Sequence, residues 1–205
     1  MRAAAALLAL FAAAPAAAHD AHIHGVEPQV AAVAPAHAAP SPLPVTLGGP
    51  FALIDQDGRP RTEAEPGGRL QLLFFGYATC QAICNVALPR MAEIVERAAA
   101  RGVEAVPVLI TVDPAQDRPA AMKAALGKLH PGFVGLTGTD EALAAARRKF
   151  GVEAKRLFEG PEGPVFAHGS FIYLLDGAGK ALTLIPPVVD PATGAEIVLR
   201  HAAAG

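Results

Sequence analysis

A chain of 205 residues with 52% hydrophobic content supplies one sizeable core and is short for two full domains. Its 17 basic and 19 acidic residues leave a formal net charge of -2, which excludes a broad electrostatic attraction to nucleic acid or anionic lipid, so neither is expected as a partner.

Residues 1–20, MRAAAALLALFAAAPAAAHD, begin with a lone Arg2, run uncharged over residues 3–18 and place small residues at Ala16 and Ala18. This is the pattern of a secretory signal cleaved after Ala18. As an uncleaved anchor the run is alanine-rich and broken by Pro15, and it falls short of the about 20 apolar residues a spanning helix needs. The expectation is a periplasmic protein, with no stable membrane insertion once the signal is removed, in a setting where thiols can be oxidised. Residues 19–45 are rich in Ala and Pro and lack periodicity, as a tether does. Residues 46–205 form the domain.

Within it, LGGPFALIDQDGRP reads as a hairpin turning over residues 55–58. RLQLLFFGY is a continuous apolar run, the pattern of a strand covered on both faces. After Cys84, the positions Leu88, Met91, Val95 and Ala98 make one apolar helical face that Gly102 ends. VEAVPVLITVDP is a second buried strand, and DRPAAMKAALGKLH a helix with Asp117 and Pro119 at its start. FVGLTG is a short strand, Thr139 caps the helix DEALAAARRKF, and SFIYLLDGAGKALTLI folds as two strands around a turn at residues 176–179, before a short helix over residues 191–201. Alternating strands and helices closed by an antiparallel pair predict an α/β layered domain with helices on both faces.

Both cysteines of the chain, Cys80 and Cys84, sit in FFGYATCQAICNVALPRM, where a buried strand gives way to a helix. Ligands and chemistry collect at that carboxyl edge of an open α/β sheet. The N–H groups of a first helical turn favour a thiolate there. Four-residue spacing turns both sulfurs to one side, near enough to bond each other or to grip one ion, and geometry alone leaves both open. As a structural staple the pair is poorly placed: so short a loop removes on the order of 2 kcal/mol of unfolded-state entropy, against nearly 5 for a loop of about 100 residues.

The ordered segments LGGPFALIDQDGRP, LLFFGYATC with its C-x-x-x-C, LITVDPAQDRP, HPGFVGLTGT and AHGSFIYLLDGAGK resemble the SCO/SenC family of copper-binding proteins over about residues 46–200. The resemblance implies a thioredoxin-like fold with an N-terminal β-hairpin extension and a copper site made by Cys80, Cys84 and His168. It further implies a role in supplying copper to the binuclear copper centre of cytochrome c oxidase, or in reducing that centre's thiols, with the copper-accepting subunit or another periplasmic copper protein as partner. One departure stands out: the family usually places proline after each cysteine, and here Gln81 and Asn85 occupy those positions.

The chemistry agrees with a carrier. Thiolate suits soft Cu(I), and imidazole extends the set to Cu(II), whereas a closed zinc site wants four protein ligands. Asp113 is a candidate to support the ligands from outside, while turn or helix capping accounts for Asp117. His130, at a helix end, needs only a structural role. Phe74, Phe75 and Tyr77 read as core and rim. His19, His22 and His24 are candidates for a second, looser Cu(II) site joined by the new amino terminus. The competing activity is thiol-disulfide oxidoreduction, in which Cys80 and Cys84 act as a redox pair that cycles through a disulfide.

Overall fold

The computed structural model describes residues 43–78, 84–161 and 163–205, with the backbone alone for residues 84 and 85. The proposed signal and most of the tether, with His19, His22 and His24, lie outside the described residues, as does Cys80.

The chain enters through the short hairpin β1 (Leu53–Asp55) and β2 (Pro60–Arg61). Asp55 builds the turn: its buried Oδ1 accepts the N–H groups of Asp57 and Arg59 at 2.9 and 3.0 Å, an Asx turn that substitutes a side chain for backbone partners. Then β3 (Leu70–Gly76), α1 (Cys84–Ala99), β4 (Ala105–Thr111), α2 (Pro119–Gly127), β5 (Val134–Thr137) and α3 (Asp140–Lys149) follow. The domain closes with β6 (Lys155–Gly160), β7 (Gly163–Ala167), β8 (Ile172–Leu175), β9 (Ala181–Ile185) and α4 (Pro191–Ala204).

Seven strands make one mixed sheet in the order β2-β1-β5-β4-β3-β8-β9. Strands β3, β4 and β5 run parallel, and β8 lies antiparallel to β3. Every residue from Gln71 through Gly76 and from Val106 through Thr111 is buried. Because neighbouring side chains point to opposite faces, this requires cover on both sides of the sheet. On one, α1 and α4 pack so closely at Gly194 that an added Cβ there would fall 2.5 Å from Ile94 Cδ1. Over β5, Met122 and Leu126 of α2 close onto Gly135. Phe75, Phe150 and Tyr173 form an edge-packed aromatic trio. The Tyr173 hydroxyl donates to the Phe150 carbonyl at 3.1 Å, and burial pushes its pKa up.

The expected elements are present, with three differences. Helix α4 extends to Ala204, beyond the predicted end at residue 201. Helix α2 starts at Pro119 with Arg118 as its N-cap and no side-chain cap bond, so Asp117 serves elsewhere. The third is the β6–β7 hairpin, a separate two-stranded sheet that hydrophobic patterning did not announce. Its first strand is exposed along nearly its whole length, so no buried face imposed an apolar alternation on the sequence.

Candidate metal centre

Strand register assembles the site's surroundings. Antiparallel pairing sets Leu73 opposite Tyr173 and Gln71 opposite Leu175, so the start of β8 lies toward the carboxyl end of β3. The segment joining β7 to β8 carries His168, and that pairing delivers it to the edge where β3 leads toward the cysteines. The His168 ring packs edge-on against Phe74, with centroids 5.7 Å apart, and against Tyr77 at 6.1 Å. Phe74 is fully buried and Tyr77 is 6% exposed, so the half-buried imidazole rests on a fixed aromatic seat. Its Nδ1 lies 2.8 Å from the Gly169 carbonyl oxygen. With the proton on Nδ1, that nitrogen donates to the carbonyl and Nε2 bears the lone pair a metal requires.

Cys84 is the first residue of α1, placing its backbone at a helix N-terminus. Five residues on, Pro89 lies inside the helix and has no N–H to offer the preceding turn. Cys80 follows Tyr77 by three positions in the chain. Among the described residues, no three His, Cys, Asp or Glu side chains gather as a metal cage. The two cysteine side chains are outside that set; sulfur and imidazole nitrogen are donor types that a soft ion takes.

The loop after β4 supplies the acidic residues. Asp113 is 2% exposed. Its Oδ1 takes a long 3.4 Å contact from the Gln116 N–H, and its Oδ2 has no hydrogen-bond partner among the described residues. Asp117, 1% exposed, accepts the N–H of Ala78 at 2.9 Å and the Thr111 hydroxyl at 2.8 Å. The same loop meets the β6–β7 hairpin. Gly163 has φ +119°, a backbone conformation that favours glycine, and the end of the Gln116 side chain packs where a Cβ would lie. Phe166 of that hairpin packs on Tyr77 with centroids 5.9 Å apart. His130 stands apart from these groups, before β5 at the opposite edge, where its Nδ1 accepts the Gly132 N–H at 3.0 Å.

Three contributors carry roles beyond those their sequence positions predict. Phe74 and Tyr77 are core residues, as expected, and they also seat His168. Asp117 ties two loops together where helix capping was expected. The available signal was TVDPAQD, two acidic residues directly after a buried strand, a position that obliges a carboxylate to find partners.

A family model described as SCO1/SenC matches residues 40–203. The SCO2-like protein of Rickettsia felis is 39% identical over 140 residues, which span 67% of this chain and 68% of that one. Two solved structures share the thioredoxin-like fold. Arabidopsis thaliana ScoI with copper bound has a TM-score of 0.71 at 27% identity, covering 77% of this chain and 99% of that one. Yeast Sco1 with copper bound has a TM-score of 0.71 at 30% identity, covering 78% and 91%. With four-fifths of its length matched, this chain belongs to the SCO1/SenC family.

Proposed function

We propose that this protein is an extracytoplasmic copper carrier that grips its cargo with Cys80, Cys84 and His168 and passes it to the copper-accepting subunit of cytochrome c oxidase or to another periplasmic copper protein. The observation that carries the reading is the pairing of β3 with β8, which brings the His168 ring against Phe74 and Tyr77, the residues that precede the cysteines. Copper-bound relatives of the same fold support it.

The residues divide the work by softness. Two thiolates hold Cu(I), and the imidazole adds the harder donor that Cu(II) accepts. Bonding of Nδ1 to Gly169 and the aromatic seat restrict the ring, so less of its freedom is lost on binding. Release proceeds by ligand exchange, each sulfur or nitrogen of this chain leaving as an acceptor's donor replaces it. Residues 1–18 would direct export and residues 19–45 would serve as the tether. His19, His22 and His24 would offer a weaker Cu(II) site, and Asp113 would support the ligands from its buried loop. No described helix is long and apolar enough to cross a membrane.

A second activity is favoured by the placement of a cysteine pair at a strand-to-helix junction of a thioredoxin-like fold. Here the Cys80 thiolate attacks a partner disulfide and forms a mixed disulfide as one partner thiolate departs. Cys84 then attacks Cys80, releasing the second partner thiol and leaving this chain oxidised by two electrons.

Anaerobic Cu(I) titration of the reduced protein, followed by thiolate-to-copper absorption, tests the reading. Copper binds at one equivalent in the native protein, His168→Ala weakens it at least tenfold, and replacing both cysteines with serine abolishes it. If His168→Ala binds copper as tightly as the native protein while dithiol exchange with a disulfide substrate persists, the carrier reading fails and the oxidoreductase stands.

A further inference from the structure

An ionised carboxylate leaves water only where donors replace its hydration, and Asp117, 1% exposed, has donors that identify what it does. The Ala78 N–H lies 2.9 Å from Oδ2 and 3.2 Å from Oδ1, and the Thr111 hydroxyl lies 2.8 Å from Oδ2. Neither belongs to helix α2, which starts one residue beyond its Arg118 cap. The loop is braced for this purpose. Thr111 accepts the Asp113 N–H at 2.9 Å, and the Asp117 N–H returns to the Asp113 carbonyl at 2.9 Å. The Val112 N–H donates to the Gly76 carbonyl at 2.8 Å, which is the last backbone bond between the ends of β3 and β4 among the described residues. The carboxylate bridges the gap beyond it and takes hold of Ala78, two positions before Cys80.

We propose that Asp117 is the positioning residue of the two-cysteine segment. Its buried carboxylate, oriented by Thr111, fixes the chain at Ala78 and sets how Cys80 is presented to Cys84 and to His168. Asp113, four residues earlier in the same loop, reaches neither Ala78 nor Thr111 through its carboxylate. The proposal rests on the copper reading for its metal readout, and on the cysteine pair alone for its redox readout.

Two substitutions separate the hydrogen bonds from the charge. Asp117→Ala removes the acceptor, whereas Asp117→Asn keeps a carbonyl oxygen able to take the place of Oδ2 and accept from both Ala78 and Thr111. The purified protein is equilibrated with glutathione and its disulfide, so that two thiols of this chain become one disulfide as one glutathione disulfide becomes two thiols. It is also titrated anaerobically with Cu(I). In Asp117→Ala the equilibrium constant for forming the Cys80–Cys84 disulfide falls about tenfold, a rise in potential of about 30 mV, because loosening one end lowers the effective concentration of one sulfur at the other. Its Cu(I) affinity falls roughly ten- to hundredfold, the usual cost of losing a group that orients metal ligands. Asp117→Asn stays within about threefold of the native protein in both, since a neutral acceptor keeps most of the bond.

Native behaviour of Asp117→Ala in both measurements overturns the proposal, as does an Asp117→Asn variant impaired as severely as Asp117→Ala. Should Asp117→Ala not fold by circular dichroism, Thr111→Val takes its place. It leaves the carboxylate but removes the hydroxyl that orients it, and a loss of about threefold or more in both readouts is expected. Native values there overturn the proposal. A native protein that fails to bind Cu(I) sinks the copper reading and leaves the glutathione equilibrium to decide this one.

Discussion

Replacing Tyr77 with leucine tests whether the aromatic seat orients His168. The ring meets His168 at 6.1 Å and 79°, and Phe166 at 5.9 Å and 67°, so the substitution keeps an apolar side chain while removing two edge-on contacts. Each such contact contributes about 0.5–1.5 kcal/mol beyond its buried area, so Tyr77→Leu lowers global stability by about 1–3 kcal/mol, measured by urea unfolding. The part that acts on His168, about 0.5–1.5 kcal/mol, converts to a two- to twelvefold loss of Cu(I) affinity at about 1.4 kcal/mol per tenfold. Competition with a Cu(I) chelator resolves that difference. Native affinity in Tyr77→Leu alongside a weakened His168→Ala refutes the reasoning, because the ring is then oriented by something else.

Two further predictions concern the framework. Glu65 is buried and accepts the N–H groups of Gly67 and Arg69 at 2.8 and 2.9 Å and the Arg69 guanidinium at 2.7 Å. The guanidinium bond is the largest cause holding its pKa below the ordinary 4.5. A carboxylate lowered in the folded state stabilises fully above its unfolded value, and that contribution disappears as pH falls through the folded value. Glu65→Gln should therefore be less stable than the native protein at neutral pH and should lose less on acidification, and parallel stability curves for the two proteins refute this. At the α1–α4 contact, Gly194→Leu should cost about 1–3 kcal/mol through overpacking against Ile94. Adding Ile94→Ala should recover part of that loss, and strictly additive effects in urea unfolding count against the close contact.

The fold was legible where burial writes itself into sequence. RLQLLFFGY and VEAVPVLITVDP became β3 and β4 because strands covered on both faces must be apolar at consecutive positions. Thr139 caps α3 through its Oγ1, which accepts the Ala142 N–H at 3.2 Å, a local interaction decided within three residues. The expectation for His168 came only from family resemblance, since nothing local links residue 168 to residues 74 and 77; the pairing of β3 with β8 brings those residues together. The β6–β7 hairpin escaped notice because Leu157 and Phe158 are exposed, at 54% and 60%, and leave no one-sided pattern. Asp117 was misjudged for a related reason. A helix cap is a local prior, and it lost to a partner 39 residues away.

The departure at Gln81 and Asn85 gives that long-range bond a physical setting. Proline restricts φ before folding begins and contributes about 0.4–1 kcal/mol where its geometry suits the native chain. With glutamine and asparagine in those positions, the sequence supplies no ring restraint after either cysteine. One end of the cysteine segment is Cys84 at the start of α1. At the other, Ala78 is bonded to a buried carboxyl group, and a hydrogen bond contributes about 0.5–1.5 kcal/mol, comparable to what two prolines supply. A restraint applied at Ala78 rather than between the sulfurs leaves the intervening residues free of rings. If Asp117 positions Ala78 as proposed, the loop after β4 would share with the cysteine segment itself the control of how the two sulfurs meet.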